Sequence, residues 1–441
     1  MNRIGQQIST APASPRRNVK IAWRWMPTLF LSKGLTYVVL LFVSVVVYKR
    51  FGLANSSITL YTSWLMLPCV LRPLLAVFVQ SGHYDRRWIL ITEALIAAAV
   101  AAIGYTLNTA AWLPGSLFFL WVIAMANIFH DIASDKFALK ALSCHRVSSL
   151  RIFKQMIYRL ALLVGMGLLM MIGGNLEVVT RSVRSSWSTV LYILSAVFVV
   201  LTVVHLVTLP HAAIGRRERK TRATDMFYAL LNTSADLIRT PRSWPGLLFL
   251  SFFLLPAALL SRVSILFMLD LGSSGGIGLS PQEFGYVQGT IGIFALIIGG
   301  AAGTWAIRRY GLKKMLPIMA LTTIVPNPVY VYLSFVLPSH LAWITLCVFV
   351  QQLCYAFGLS AYVRYLVYYT EVKRFATYAL GMSLVYAAMM IPSSISGSLQ
   401  EALGYRMFFV TTACCGLATL VATAIVMTDP KLDQETPTDN A

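Results

Sequence analysis

Along most of this chain the apolar residues run nearly unbroken for about twenty positions at a time, and the polar residues gather between the runs. A helix rises 1.5 Å per residue, so about twenty apolar residues cross the ~30 Å hydrocarbon of a bilayer. Such runs fall at 27–48, 59–81, 88–107, 112–134, 152–173, 187–209, 246–269, 284–306, 315–337, 341–366, 375–399 and 405–428. Inside a bilayer each backbone polar group needs a partner within its own segment, which selects helices for runs of this length. The pattern predicts an all-α membrane protein of twelve transmembrane helices.

The runs divide into two sets of six. A polar tail covers 1–26, the first set 27–209, a basic linker 210–245, the second set 246–428 and a short polar tail 429–441. The linker opens with GRRERKTR, Gly215 to Arg222, and Asp225 to Ile238 reads as a short surface helix. Residues 1–26 are followed by a long apolar run without a small-residue cleavage site, so a retained first span is expected rather than a signal peptide. Two six-span bundles joined by a basic linker are the outline of the major facilitator fold, whose halves rock about a site near the midplane. An internal echo agrees. Gly82-His-Tyr-Asp85-Arg86-Arg87 follows the second span, and Arg308-Arg309-Tyr310-Gly311-Leu312-Lys313-Lys314 follows the eighth. Asp85, Arg86, Arg87, Arg308 and Arg309 are therefore candidates for gating turns.

Composition sharpens this picture. The chain has 441 residues, 58% hydrophobic and only 12% charged, which is too apolar for a soluble domain. A net charge of +20 would suggest nucleic acid in a soluble chain. Here Lys and Arg crowd alternate loops, so they fix orientation instead, with both termini cytoplasmic and no nucleic-acid partner. The six cysteines, Cys69, Cys144, Cys347, Cys354, Cys414 and Cys415, show neither metal nor disulfide spacing. Gly285-x-x-x-Gly289 and Gly299-x-x-x-Gly303 mark close helix packing in the eighth span. No Walker loop and no paired nucleophile are visible, so the chain is not expected to be an ATP-driven pump or an enzyme.

The densest polar cluster within a run is Met125 to Lys140. Asn127, Asp131 and Asp135 are spaced four apart and share one helical stripe, with His130 and Ser134 on a second. By depth, Asp131 falls just inside the inner edge of the hydrocarbon and Asp135 at the interface. Lys33, Arg72 and Arg159 fall at a similar depth in the first, second and fifth spans. They form either a salt-bridge network with snorkelling side chains or a cationic pocket for an anionic substrate. Arg262 lies farther out, two turns before Asp270, and Arg364 lies near the inner end of the tenth span. Gln351 and Gln352 sit near the midplane of that span, and Tyr355 and Tyr362 continue it. Amides beside aromatic faces suit a sugar, although they also satisfy one another.

Trp64-Leu-Met-Leu-Pro68-Cys-Val-Leu-Arg72-Pro73, the turn ending Arg87-Trp88, and above all His130-Asp131-Ile-Ala-Ser-Asp135 resemble the AmpG-type muropeptide permeases. The likeness continues through Gly276–Gly289, Gly299–Lys314 and Gln351–Tyr369. The resemblance implies a proton-driven major facilitator transporter of the bacterial inner membrane that imports anhydro-muropeptides for cell-wall recycling. It implies no cofactor beyond the proton gradient, an anionic sugar–peptide substrate, and a monomer in the lipid bilayer. There are departures. Gln80 and Gln351 stand where relatives keep acids, and Leu254, Leu255, Pro256 and Ala257 are apolar where some carry an Arg and a Glu. With those acids gone, Asp131 and Asp135 are the remaining candidates for proton coupling. Lys33, Arg72, Asn127, Arg159, Gln351, Gln352, Tyr355 and Tyr362 are the candidates for substrate binding. Another anionic solute such as a siderophore or an acyl-CoA-like compound, or a drug, remains as an alternative cargo, ahead of a receptor or a membrane enzyme.

Overall fold

The computed structural model describes residues 15–80, 85–141, 147–210, 227–228, 231–235, 239, 243–370 and 375–428. Most of the linker with its GRRERKTR run, the Gly82–Tyr84 part of the first basic turn, Glu371 and most of both tails lie outside the described residues. What is described is helical, with no strand. Among the described residues ten helices are long and apolar enough to cross a membrane. The predicted second span is missing from those ten because it is broken into Asn55–Trp64, Leu67–Val70 and Arg72–Gln80. Pro68 and Pro73 open the two later pieces, since a proline lacks the N–H of the helical ladder and clashes with the carbonyl four residues back.

Conversely, Phe375–Met427 runs for 53 residues. At 1.5 Å per residue an unbroken helix of that length would reach ~80 Å, more than twice the hydrocarbon thickness. It turns at Gly404, whose φ of 71° and ψ of 164° are not helical. Asn55–Gln80 falls on the predicted second span, and Phe375–Met427 covers the predicted eleventh and twelfth.

The core follows from those apolar faces. Within the first half, Asp85–Thr106 packs between Trp112–Ala141 and Val183–Thr208, and the first helix, Pro15–Val38, lies against Val147–Leu162. The helix pairs that join the halves repeat the duplication, the second span on the eleventh and the fifth on the eighth. The fifth and eighth spans meet where each carries a π-helical stretch, Leu163–Leu168 and Gly285–Ile291. Gly289 rests directly on the backbone of Met166 and Gly167, and a Cβ there would overlap it. Gly299 sits in the same way on Leu353 of the tenth span. The small-residue spacing in the eighth span thus serves backbone contact on two sides.

Candidate functional site

The breaks in the second span position the first member of the site. Leu71 leaves the helical region with φ −81° and ψ 5°, and a new helix starts at Arg72. This turns the guanidinium toward Trp112–Ala141, where Asp131 and Asp135 stand one turn apart. One arm of the fork, Nη1, donates to Asp131 Oδ2, and Nη2 donates to Asp135 Oδ2 at 3.1 Å. Lys33 from the first helix pairs with the other Asp131 oxygen and lies 3.4 Å from Asp135. Lys154 from the fifth span closes the group, 2.5 Å from Asp135 Oδ1, with its ammonium over the Phe30 ring. Four helices therefore bring three cations to two carboxylates.

Burial grades across this cluster. The Asp131 side chain is 1% exposed, whereas Asp135 and Lys154 are 28% and 34% exposed. Both Asp131 oxygens face cations and neither is free for solvent. A carboxylate so placed needs its partners, because removing one leaves a buried uncompensated charge. Beside the group, Tyr37 Oη and Cys69 Sγ are 3.8 Å apart. Tyr386 of the eleventh span packs against the same apolar cluster as Ile128 and Ile132, so the other half reaches this site too.

The remaining sequence candidates are distributed elsewhere. Arg159 does not join the cluster; its Nη1 crosses to the other half and donates to the Ile297 carbonyl at 3.2 Å. Asn127 is fully buried on the Asp131 stripe, with neither amide atom hydrogen-bonded. Gln351 and Gln352 are both buried, and Gln352 lies against Gly292 of the eighth span. Tyr355 is half-buried. Tyr362 is in the aromatic core of the second half, stacked on Phe253 with its hydroxyl donating to the Leu250 carbonyl at 2.7 Å. Asp85 pairs with Lys136 at 3.1 Å, and Arg86 donates to the Leu206 and Leu209 carbonyls at 2.8 and 3.1 Å. These two residues thus tie the start of the third span, Asp85–Thr106, to the fourth and the sixth. Arg87, Arg308 and Arg309 are exposed.

Several participants are absent from the sequence reading. Lys154 falls inside the predicted fifth span, and Glu93 and His205 lie within the third and sixth. The rule that an ionisable group inside an apolar run is costly would have flagged all three. Asp270 follows Arg262 by two turns in sequence, but the two do not pair. The structure pairs it instead with Lys49, across the two halves, at 2.5 Å. Asp270 also accepts from Tyr405 at 2.5 Å and Asn55 at 3.2 Å, and Asn55 donates to Gln400 at 2.7 Å. Ser56 N donates to Glu401, and Gly397 N to Thr59. Deeper in the same seam, Ser63 and Ser393 are bonded at 2.9 Å. This seam bonds the two sets of helices together at one end of the molecule. Among the described residues Arg262, buried behind it, reaches only the Met66 sulfur at 3.9 Å, and its Nε has no partner.

No protein-family model matches the chain. It is 24% identical over 337 residues to the anhydromuropeptide permease of Escherichia coli K12, covering 76% of this chain and 65% of that one. The chain thus spans about two thirds of the length of that relative. It is 22% identical over 379 residues to a putative AmpG transporter of Rickettsia felis, covering 86% and 87%. A crystal structure of a D-xylose–proton symporter superposes with a TM-score of 0.69 at 12% identity, covering 96% of this chain and all of that one. The fold is that of major facilitator transporters, and the resemblance to AmpG-type permeases read from the sequence holds over most of the chain. By its helices the chain is a multi-pass membrane protein, similar over most of its length to proteins named as permeases and transporters.

Proposed function

We propose that this transporter imports an anionic sugar–peptide of the cell wall, an anhydro-muropeptide, across the bacterial inner membrane together with a proton. The observation that carries this reading is the double hold on Asp131 by Lys33 and Arg72. Those two cations are the obvious receptors for a substrate carboxylate, and Arg72 offers a planar fork suited to it. They are already engaged by the protein's own carboxylates. A substrate anion must therefore displace Asp131 or Asp135 to bind.

Displacement creates the coupling. Asp131 released from Arg72 stays in a site with almost no solvent, where an unpaired carboxylate is costly and a proton relieves the cost. Substrate and proton then arrive together, and the net charge of the cluster is restored. When the substrate leaves on the inner side, Lys33 and Arg72 recapture Asp131 and expel the proton. Asp135, with greater exposure and a third cation in Lys154, acts as the outer member of the same relay. Arg159, Asn127, Gln351, Gln352 and Tyr355 line the path between the halves in this scheme and contact the uncharged parts of the cargo.

Radiolabelled anhydro-muropeptide uptake into proteoliposomes with an imposed pH gradient tests the proposal. Gradient-driven accumulation is expected in the wild type and its loss in Asp131→Asn, which keeps the shape of the side chain but cannot titrate. Accumulation that ignores the gradient in the wild type, or that persists in Asp131→Asn, would refute the coupling. Failure to accept muropeptide while another anion is taken up would move the cargo to a siderophore or an acyl-CoA-like compound.

A further inference from the structure

The first half holds a second group of ionisable side chains, separate from the ionic cluster. Glu93, on Asp85–Thr106, is fully buried, as are His130 on Trp112–Ala141 and His205 on Val183–Thr208. Glu93 Oε1 lies 3.2 Å from His130 Nε2, and Oε2 lies 2.7 Å from His205 Nδ1. His205 Nε2 is in turn 2.9 Å from Thr28 Oγ1 of the first helix. Four helices converge on one carboxyl.

Several charged groups on and beside those helices have other partners. Lys33 and Arg72 hold Asp131, Lys154 holds Asp135, Lys136 holds Asp85, and Arg86 donates to the Leu206 and Leu209 carbonyls. Among the described residues no Lys or Arg pairs with Glu93. With both imidazoles neutral, the group carries one negative charge, with no solvent contact and no permanent cation. Burial of such a charge is expensive, and one added proton removes it.

The hydrogen bonds lead to the same proton. The Thr28 hydroxyl has one hydrogen and two acceptors in reach, the Trp25 carbonyl at 3.0 Å and His205 Nε2 at 2.9 Å. If it donates to Trp25, Nε2 must carry a hydrogen and donate to Thr28. The 2.7 Å contact between Nδ1 and Glu93 then needs a proton of its own, on the imidazole or on the carboxyl. If Thr28 instead turns to Nε2, a neutral His205 donates through Nδ1 to ionised Glu93, and the site holds no extra proton. His130 Nδ1 has no hydrogen-bond partner, so that ring can change its tautomer or gain a proton without breaking a contact.

We propose that Glu93, His130 and His205 form a proton-binding site that takes up one proton per molecule. Its role in transport rests on the proton-coupled reading above; its chemistry does not. The site binds H⁺ from water and returns it, with no other bond made or broken. Carboxyl and imidazoles share the proton as one hydrogen-bonded unit. The next residue after His130 is Asp131, so the site's charge bears directly on the Lys33–Asp131–Arg72 contacts.

Infrared pH-difference spectra of the full chain in liposomes test this. Replacing His83, His145, His211 and His340 by Gln leaves His130 and His205 as the remaining pair of the six histidines. Between about pH 8 and pH 5, where histidine ordinarily titrates, this protein should show a ring-band change and uptake of one proton. Glu93→Gln should abolish both, and His205→Asn provides the same comparison if the glutamine variant does not accumulate. Histidine bands that stay fixed across the range overturn the site, as do variant spectra superimposable on the parent. If the proton is taken up but no pH gradient drives muropeptide accumulation, the transport reading falls and the site stands.

Discussion

Asp270 offers the sharpest test of how the seam between the two sets of helices is held shut, on the face expected to be the outer one. Its carboxylate accepts from Lys49 and Asn55 of one half and from Tyr405 of its own half. The Lys49 and Asp270 side chains are only 16% and 13% exposed, so solvent screens the pair weakly. Asp270→Asn keeps the shape and removes the charge. The new amide nitrogen must face the Lys49 ammonium or the Asn55 amide nitrogen, donor to donor. A hydrogen bond to a charged group contributes ~1.5–3 kcal/mol, and much of the direct Coulomb attraction is cancelled by desolvation. A net loss of ~2–3 kcal/mol from the closed state is expected, with little change in the state where these groups are apart and hydrated. At 1.4 kcal/mol per tenfold, the closed-to-open ratio falls roughly 30- to 150-fold.

Labelling reads this directly. Ser393 is buried behind the seam and bonded to Ser63, so a cysteine there meets an impermeant maleimide only when the outer face opens. In a cysteine-free background, Ser393→Cys should label at least tenfold faster from outside once Asp270→Asn is added. Glu401→Gln is the matched control. Its contact with Ser56 N is exposed, and exposed pairs contribute little. Lys49→Gln combined with Asp270→Asn should show less than the sum of the single effects, since the two share one interaction. Labelling unchanged by Asp270→Asn, or raised as much by Glu401→Gln, would refute the lock.

Other expectations are quicker to state. Arg72→Lys should raise the muropeptide concentration for half-maximal uptake about tenfold or more while protein level holds, because a point charge cannot span Asp131 and Asp135 as the fork does. Asp135→Asn should impair gradient-driven accumulation less than Asp131→Asn, following their exposure; the reverse order in the same uptake assay would overturn the assignment. Gly289→Ala should lower the thermal unfolding temperature in detergent by several degrees, since the added methyl meets backbone that cannot yield. Reporter fusions after Arg222 and Lys314 should report cytoplasm, and a fusion after Ser339 the outer side; an outer signal at Arg222 would break the two-bundle topology.

What the sequence made legible follows the strength of each physical signal. The helices were legible because apolar length is set by the bilayer and leaves little choice of structure. Their breaks were only half legible. Pro68 and Pro73 are visible as residues, yet what a break does depends on what it turns toward, and only the packed second span shows Arg72 swung onto Asp131. The Asp131–Asp135 stripe was legible because four-residue spacing is local. Its partners were not, because depth along a helix places a residue at a level without giving its azimuth. Lys33, Arg72 and Arg159 share a level, and two of them face Asp131 while the third faces Ile297 on the other half.

The same limit explains the Asp270 pairing. Two turns of helix bring Arg262 near in sequence, but the seam that buries Asp270 is made by the neighbouring half, and a cross-half partner leaves no local trace. Glu93 differs, because its signal was present as a solitary acid within an apolar run. A lone acid at that position cannot persist without partners, and two histidines in other runs were the available donors. Counting buried charge helix by helix would have demanded such a group before any coordinates were known. The consequence is directional: if Glu93 is replaced by Ala rather than Gln, His130 and His205 lose their shared acceptor together. Protein level in the membrane should then fall more than for either single histidine variant. Independent losses that simply add would show that the three side chains do not act as one group.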